Sequence, residues 1–143
     1  MIESCLKINK EYPWFPGIRQ DFSIVLEDER TVGSLSITRF TITEPFETRW
    51  TYLNSIQIPD LENRGQSFAS QAMREVNKLI KLEDRNGILK NSIIERNKRD
   101  FYRHQGWTKV GGVGTQWEFL LNQPLSVFLM RQTISVVKEN FVR

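Results

Sequence analysis

The chain has 143 residues, 39% hydrophobic and 26% charged, enough for one hydrophobic core and without the shift of composition that would mark a second domain. Its formal net charge of +3 suits an anionic ligand but falls short of the concentrated basic field of a dedicated nucleic-acid binder. No stretch approaches the roughly 18 apolar residues of a membrane span, no basic-then-apolar leader opens the chain, and the lone Cys5 has no internal disulfide partner. A soluble cytoplasmic protein with a reduced thiol and no membrane association is expected.

Residues 2–8 read as a short strand. The following Glu11-Tyr12-Pro13-Trp14-Phe15-Pro16-Gly17 holds two prolines and a glycine, which break regular elements, and is expected to form a loop anchored by its aromatic rings. From Asp21 the pattern turns β-like: residues 22–26, a charged turn over 27–30, and residues 31–40 make two antiparallel strands. A polar connection through Thr43-Glu44-Pro45 leads to residues 49–58, dense in β-branched and aromatic side chains and ended by Pro59. This is the strongest strand in the chain.

Past the loop at 60–65, apolar residues recur at Phe68, Ala69, Ala72, Met73, Val76, Leu79 and Ile80, the spacing of one helix face, and the helix should run to about Leu82. Asp84-Arg85-Asn86-Gly87 is turn chemistry, and residues 88–94 read as a strand, so strand, helix and strand follow at crossover spacing and the two strands should pair in parallel. Asn97 with Asp100 three residues on resembles a helix N-cap, opening a short helix that ends at Gly106. Residues 107–110, the glycines 111, 112 and 114, and residues 115–121 suggest a terminal hairpin. After Pro124, the residues Val127, Met130, Ile134, Val137 and Phe141 alternate by three and four, one stripe of a C-terminal helix over about 125–141. The expected fold is a single α/β domain over 1–143 with a mixed, mostly antiparallel sheet and a core spanning about 22–121.

Two places carry chemistry. The first is the turn Arg64-Gly65-Gln66-Ser67-Phe68-Ala69 between the strongest strand and the helix. A helix start presents unpaired N–H groups and the positive end of the macrodipole, so it favours a phosphate. The small residues Gly65, Ser67, Ala69 and Ser70 let oxygens reach the backbone, and Arg64 adds a positive charge. On these residues alone an ordinary helix start fits equally well. The second is Tyr102, on a short helix after the second parallel strand, a candidate general acid for a thiolate leaving group. Taken alone, an amphipathic tyrosine with a packed ring is the commoner explanation. His104 is expected at the surface, and one His with one Cys offers no clustered metal-ligand spacing, so no metal is expected.

Together the two places resemble the GNAT superfamily of acyl-CoA-dependent N-acetyltransferases. The family pattern Q/R-x-x-G-x-G/A falls on Arg64 to Ala69, with Ser67 in place of the middle glycine, and aromatic-Tyr-x-x-x-Gly-aromatic falls on Phe101-Tyr102 and Gly106-Trp107. Hairpin, strand, crossover helix, strand, short helix and final hairpin follow in family order over about 22–121. The resemblance implies a GNAT-like sheet, acetyl-CoA as co-substrate, and acetyl transfer to a primary amine by direct attack. It implies that backbone groups at Ile56 and Ile58 pair with the pantetheine arm, that the turn amides of Gly65, Gln66, Ser67, Phe68 and Ala69 hold the pyrophosphate beside Arg64, and that Tyr102 protonates the thiolate. Where the family places an asparagine seven residues before the tyrosine this chain has Glu95, and Asn97 is the nearest counterpart for that cofactor contact. The family's helix pair between its first two strands is absent or reduced to the loop around residues 13–17. The C-terminal stripe is therefore expected to cover the sheet face those helices leave bare, within the chain or across a homodimer.

The general base has no clear candidate beyond Asp60, Glu62 and Glu95. The acceptor, an amine on a small molecule, a peptide or a protein, has no readable signature. A non-catalytic module that keeps the fold to bind a protein or nucleic-acid partner is the alternative. Arg96, Lys98, Arg99 and Arg103 read as a solvated helix face more readily than as a nucleic-acid contact.

Overall fold

The first half of the chain forms four consecutive antiparallel strands, largely exposed in the first and largely buried in the third: β1 (Ser4–Trp14), β2 (Gly17–Leu26), β3 (Thr31–Ile42) and β4 (Thr48–Gln57). Helix α1 (Phe68–Leu82) then carries the chain back so that β5 (Asn86–Lys90) lies parallel to β4, with Trp50 opposite Asn86 and Leu53 opposite Leu89. Strands β6 (Thr108–Val110) and β7 (Gln116–Phe119) pair antiparallel, with β7 beside β5. The seven strands form one sheet in the order β1-β2-β3-β4-β5-β7-β6. The computed structural model describes residues 2–15, 17–43, 47–90, 101–110 and 116–119. The expected mixed, mostly antiparallel sheet with a parallel strand-helix-strand crossover is what these residues form. The proposed cap at Asn97 and Asp100, the glycines 111, 112 and 114 and the C-terminal helix lie outside the described residues.

The first hairpin differs from expectation. Residues 11–17 are not a loop: β1 continues through Pro13, which stands opposite Ile18, and only Phe15 and Pro16 separate β1 from β2. β1 is the outermost strand, where the missing N–H of a proline interrupts no second ladder. Gly17 is required by contact with the neighbouring strand, since a Cβ there would lie 1.9 Å from the Arg39 carbonyl oxygen. Residues 4–8 and 22–26 are thus parts of longer strands, and no helix pair intervenes between them.

Helix α1 forms as its three-and-four spacing predicts, burying Phe68, Ala72, Met73, Val76 and Ile80. They meet Ile24, Leu35, Ile37, Leu53 and Leu89 from one sheet face in a single cluster that includes Tyr102 and Trp107. Each fully buried aliphatic or aromatic side chain contributes about 1.5–3 kcal/mol by removal from water. The helix stops at Glu83, whose N–H still reaches Leu79 O, and Asp84 follows with φ 55, a left-handed exit. Arg39 then bridges Glu83 (2.9 Å) and Glu11 (3.1 Å), fixing the helix end to the sheet. At its other end α1 leans over the sheet edge: Ser4 N–H donates to Gln71 Oε1 (2.7 Å) and Leu6 N–H to Glu75 Oε2 (3.0 Å). Phe40, Ile42 and Trp50 are also buried, although they do not belong to the cluster around α1. Phe40 stands opposite Trp50, and strand alternation turns both away from that helix.

Candidate functional site

The site begins with an irregularity in β4. Ser55 stands opposite Ser36, but the next pair is Leu53 with Ile37, so Asn54 is an extra residue, a β-bulge. Asn54 Oδ1 accepts a 2.7 Å hydrogen bond from Thr38 Oγ1, which pins the bulge to β3. Pairing between β4 and β5 ends at Leu53 and Leu89, whereas β4 continues to Gln57. Among the described residues the β4 backbone from Asn54 to Gln57 therefore has ladder partners on one side only. That strand edge forms one wall of a cleft of about 990 Å³, lined by Asn54, Ser55, Ile56, Gln57 and Ile58, by the turn into α1, and by Leu89, Phe101 and Tyr102. Such a volume lies at the upper end of the range for ligand sites and suits a large ligand.

The turn into α1 forms the second wall. Gly65 has φ 78 and Ser67 φ 67, both left-handed, and Ser67 makes no side-chain capping bond. The Ser67 carbonyl accepts from Gln71 N–H (2.9 Å) as the first helical bond. The N–H groups of the first turn precede that ladder, at the helix end that carries the positive dipole. Arg64, at the surface, folds back along the chain: its Nε donates to Ile58 O (2.9 Å) and its Nη2 reaches Pro59 O (3.4 Å), tying the turn to the residues that follow β4. Gln66 closes the turn by donating to Glu62 O (2.8 Å) and does not line the cleft.

Tyr102 closes the cleft from the short helical turn of residues 101–104. It is only 8% exposed, its ring meets that of Phe101 edge-on at 5.2 Å, and burial raises its pKa above the usual 10.0. The phenol is thus neutral, carrying its proton, at physiological pH. The segment is clasped to α1 through Asn77, which accepts from Trp107 Nε1 (3.0 Å) and donates to Gln105 O (2.8 Å). Gly87 makes room for that clasp, since a Cβ there would lie 2.7 Å from the Trp107 indole.

The cleft thus gathers Ile56, Ile58, Arg64, Gly65, Ser67, Phe68, Ala69 and Tyr102, eight of the ten residues singled out in the sequence. Gln66 stands behind the turn, and Asn97 lies outside the described residues. Asp60 and Glu62 are exposed and do not line the cleft, where Arg64 alone among the described residues carries a formal charge. His104 is exposed as expected. Sequence reasoning missed Asn54, Ser55, Asn77 and Leu89. A bulge and a long-range clasp have no local pattern, although the apolar run around Leu89 was within reach.

No protein-family model and no curated protein sequence matches the chain. Solved structures do. A candidate acyl-CoA N-acyltransferase from Klebsiella pneumoniae superimposes with a TM-score of 0.57 at 15% identity, over 73% of this chain and 73% of its own. An acetyltransferase of the GNAT family from Staphylococcus aureus gives 0.53 at 12% identity, over 71% of this chain and 66% of its own. A variant of the AtaT toxin, bound to the C-terminus of the antitoxin AtaR and to acetyl-CoA, gives 0.53 at 13% identity, over 71% of this chain and 67% of its own. The chain has the GNAT fold.

Proposed function

We propose that this protein is an N-acetyltransferase that uses acetyl-CoA and acylates a primary amine by direct attack. The observation that carries this reading is the coincidence in one cleft of a β4 backbone paired on one side only among the described residues, the left-handed turn into α1, and the buried neutral phenol of Tyr102. The amides of Gly65 to Ala69 take the pyrophosphate, with the helix dipole behind them. The β4 edge at Ile56, which has a ladder partner on one side only among the described residues, accepts the amide groups of the pantetheine arm as an added strand would. Arg64 and the Ile58 carbonyl, already bonded to each other, set the angle between those two walls.

An arm laid along β4 from the turn towards the bulge ends near Asn54, Ser55 and Tyr102. There the amine nitrogen adds to the thioester carbonyl carbon, the C–N bond forms and the C–S bond breaks. Tyr102 gives its proton to the departing thiolate, the amine loses its extra proton to water, and the phenolate is reprotonated from solvent. The toxin among the structural neighbours, with acetyl-CoA and an antitoxin segment bound, supports a coenzyme A ligand. The antitoxin segment bound to that toxin supports a protein partner for this chain as well. Among the described residues no helix is long and apolar enough to cross a membrane. A cytoplasmic setting, where acetyl-CoA is available, fits the single free Cys5.

Calorimetric titration with acetyl-CoA tests the ligand, and mass spectrometry of amine panels incubated with labelled acetyl-CoA tests the transfer. Binding at micromolar concentration with label on an amine is expected. Absence of binding below millimolar concentration refutes the enzyme and leaves a GNAT-fold binding module.

A further inference from the structure

A chain of polar side chains runs across the sheet from the first hairpin to the cleft. Tyr12 OH donates to Asp21 Oδ2 (3.1 Å), and Asp21 Oδ1 accepts from Arg19 Nε (3.1 Å). Arg19 Nη2 donates to Ser36 Oγ (3.2 Å), and Ser36 Oγ lies 3.0 Å from Ser55 Oγ. The guanidinium is further held over the Trp14 ring at 5.0 Å. Asp21, Ser36 and Ser55 are successive cross-strand neighbours on β2, β3 and β4, so their side chains share one face of the sheet. Ser36 is only 4% exposed, which keeps water from substituting for these partners. Ser55, the last member, lines the cleft beside the bulge at Asn54.

The direction of the chain follows from its charged member. A guanidinium has donors only and does not deprotonate, so Ser36 Oγ is always an acceptor from Arg19. Either hydroxyl of the Ser36–Ser55 pair can donate, and the nearby positive charge, which polarises the Ser36 hydroxyl as a donor, favours the order in which Ser36 donates to Ser55 Oγ. Ser55, accepting from Ser36, keeps its own proton for a third partner on the cleft side. We propose that this partner is the carbonyl oxygen of the bound acyl thioester, with Ser55 as hydrogen-bond donor and Arg19 and Ser36 as residues that position it. The inference rests on the acyl-CoA reading, which brings the thioester end of the arm to the bulge. As the amine adds, that oxygen gains negative charge, and a donor backed by a full positive charge favours it. Ser55 keeps its proton throughout, and the leaving thiolate is still protonated by Tyr102. The first hairpin, which replaces a pair of helices, thereby supplies an electrostatic support that reaches the reacting atoms through two serines.

Two ligands differing only at the carbonyl isolate this contact: acetyl-CoA and ethyl-CoA, the thioether. In calorimetric titrations of the full chain, acetyl-CoA should bind about fivefold more tightly than ethyl-CoA, the worth of one hydrogen bond. Ser55→Ala should bring that ratio close to one with ethyl-CoA affinity unchanged. Arg19→Gln and Ser36→Ala should each reduce it, and Arg19→Lys, which keeps charge but loses the planar fork, serves if Arg19→Gln does not fold. A parent ratio of one, or a ratio that survives Ser55→Ala, overturns the inference while leaving the acyl-CoA reading intact. A ratio lost in Ser55→Ala but unmoved by the Arg19 and Ser36 changes overturns the positioning chain. Failure of both ligands to bind the parent overturns the acyl-CoA reading, and this inference with it.

Discussion

Asn77, in the middle of α1, accepts a 3.0 Å hydrogen bond from the indole Nε1 of the buried Trp107, five residues after Tyr102. Its amide nitrogen donates to Gln105 O in the same segment, so one side chain fixes the tyrosine's support at two points. Asn77→Leu should therefore lower stability by about 1–3 kcal/mol, the usual effect of deleting a buried partner. It should also lower turnover more than acetyl-CoA affinity, because the phenol loses its placement while the phosphate turn does not. Thermal denaturation and a kcat against Kd comparison check this. Equal losses in both would assign Asn77 to stability alone.

Ser67 holds a left-handed backbone, φ 67, without glycine's freedom and without a capping bond in return. Such a conformation costs a non-glycine residue roughly 1–2 kcal/mol. Ser67→Gly should raise stability by up to about 1 kcal/mol, after the added entropy of the unfolded chain is subtracted. Removing the side chain also widens the approach to the turn amides, so acetyl-CoA should bind more tightly. A gain in stability with no change in binding would mean the turn does not meet the ligand.

Tyr102→Phe should reduce turnover by about a hundredfold or more while changing acetyl-CoA affinity little. Burial raises the folded-state pKa of Tyr102 above 10.0. The protonated, donating form therefore persists across the physiological range, and the alkaline limb of the pH–rate profile should lie above pH 10. By linkage, the contribution of a raised pKa is fully present below the unfolded value and is lost as pH rises through the folded one. Alkaline unfolding should thus begin near pH 10 and be blunted in Tyr102→Phe. Tyr52, whose pKa burial also raises, contributes to the part that remains.

Trp50 is wholly buried and Phe40 nearly so, yet the described helical segments that reach the core, α1 and residues 101–104, belong to the opposite cluster. We expect the stripe Val127, Met130, Ile134, Val137 and Phe141 to cover them. A chain ending at Gln123 should show a red-shifted tryptophan emission and a change of sedimentation. An unchanged soluble monomer with unchanged emission would dispose of that cover, whether within the chain or across a dimer.

Much of this architecture can be read in the residues, because local periodicity and burial agree. The three-and-four spacing from Phe68 to Ile80 marked α1, with an expected end at about Leu82 where the helix does end, and the β-branched run at 49–58 marked β4 within one residue of each end. The first hairpin could not be read from breakers alone, since Pro13 is tolerated on an outermost strand and Gly17 answers a close approach by β3. The turn and Tyr102 were readable because each carries its pattern locally. Ser55 and Asn77 were not, because their roles come from partners 19 and 30 residues away.

The two hydrogen bonds from Ser4 and Leu6 to Gln71 and Glu75 have a consequence for the protein in a crowded solution. An outermost strand with open N–H groups templates the addition of foreign strands and seeds aggregation. Here side chains of α1 occupy those donors along the first half of β1, and a bulge between Ile8 and Lys10, together with Pro13, spoils the second half. The helix that opens the phosphate turn at one end therefore also acts as a gatekeeper against fibril growth. Substitutions at Gln71 or Glu75 should show first as loss of solubility rather than loss of chemistry.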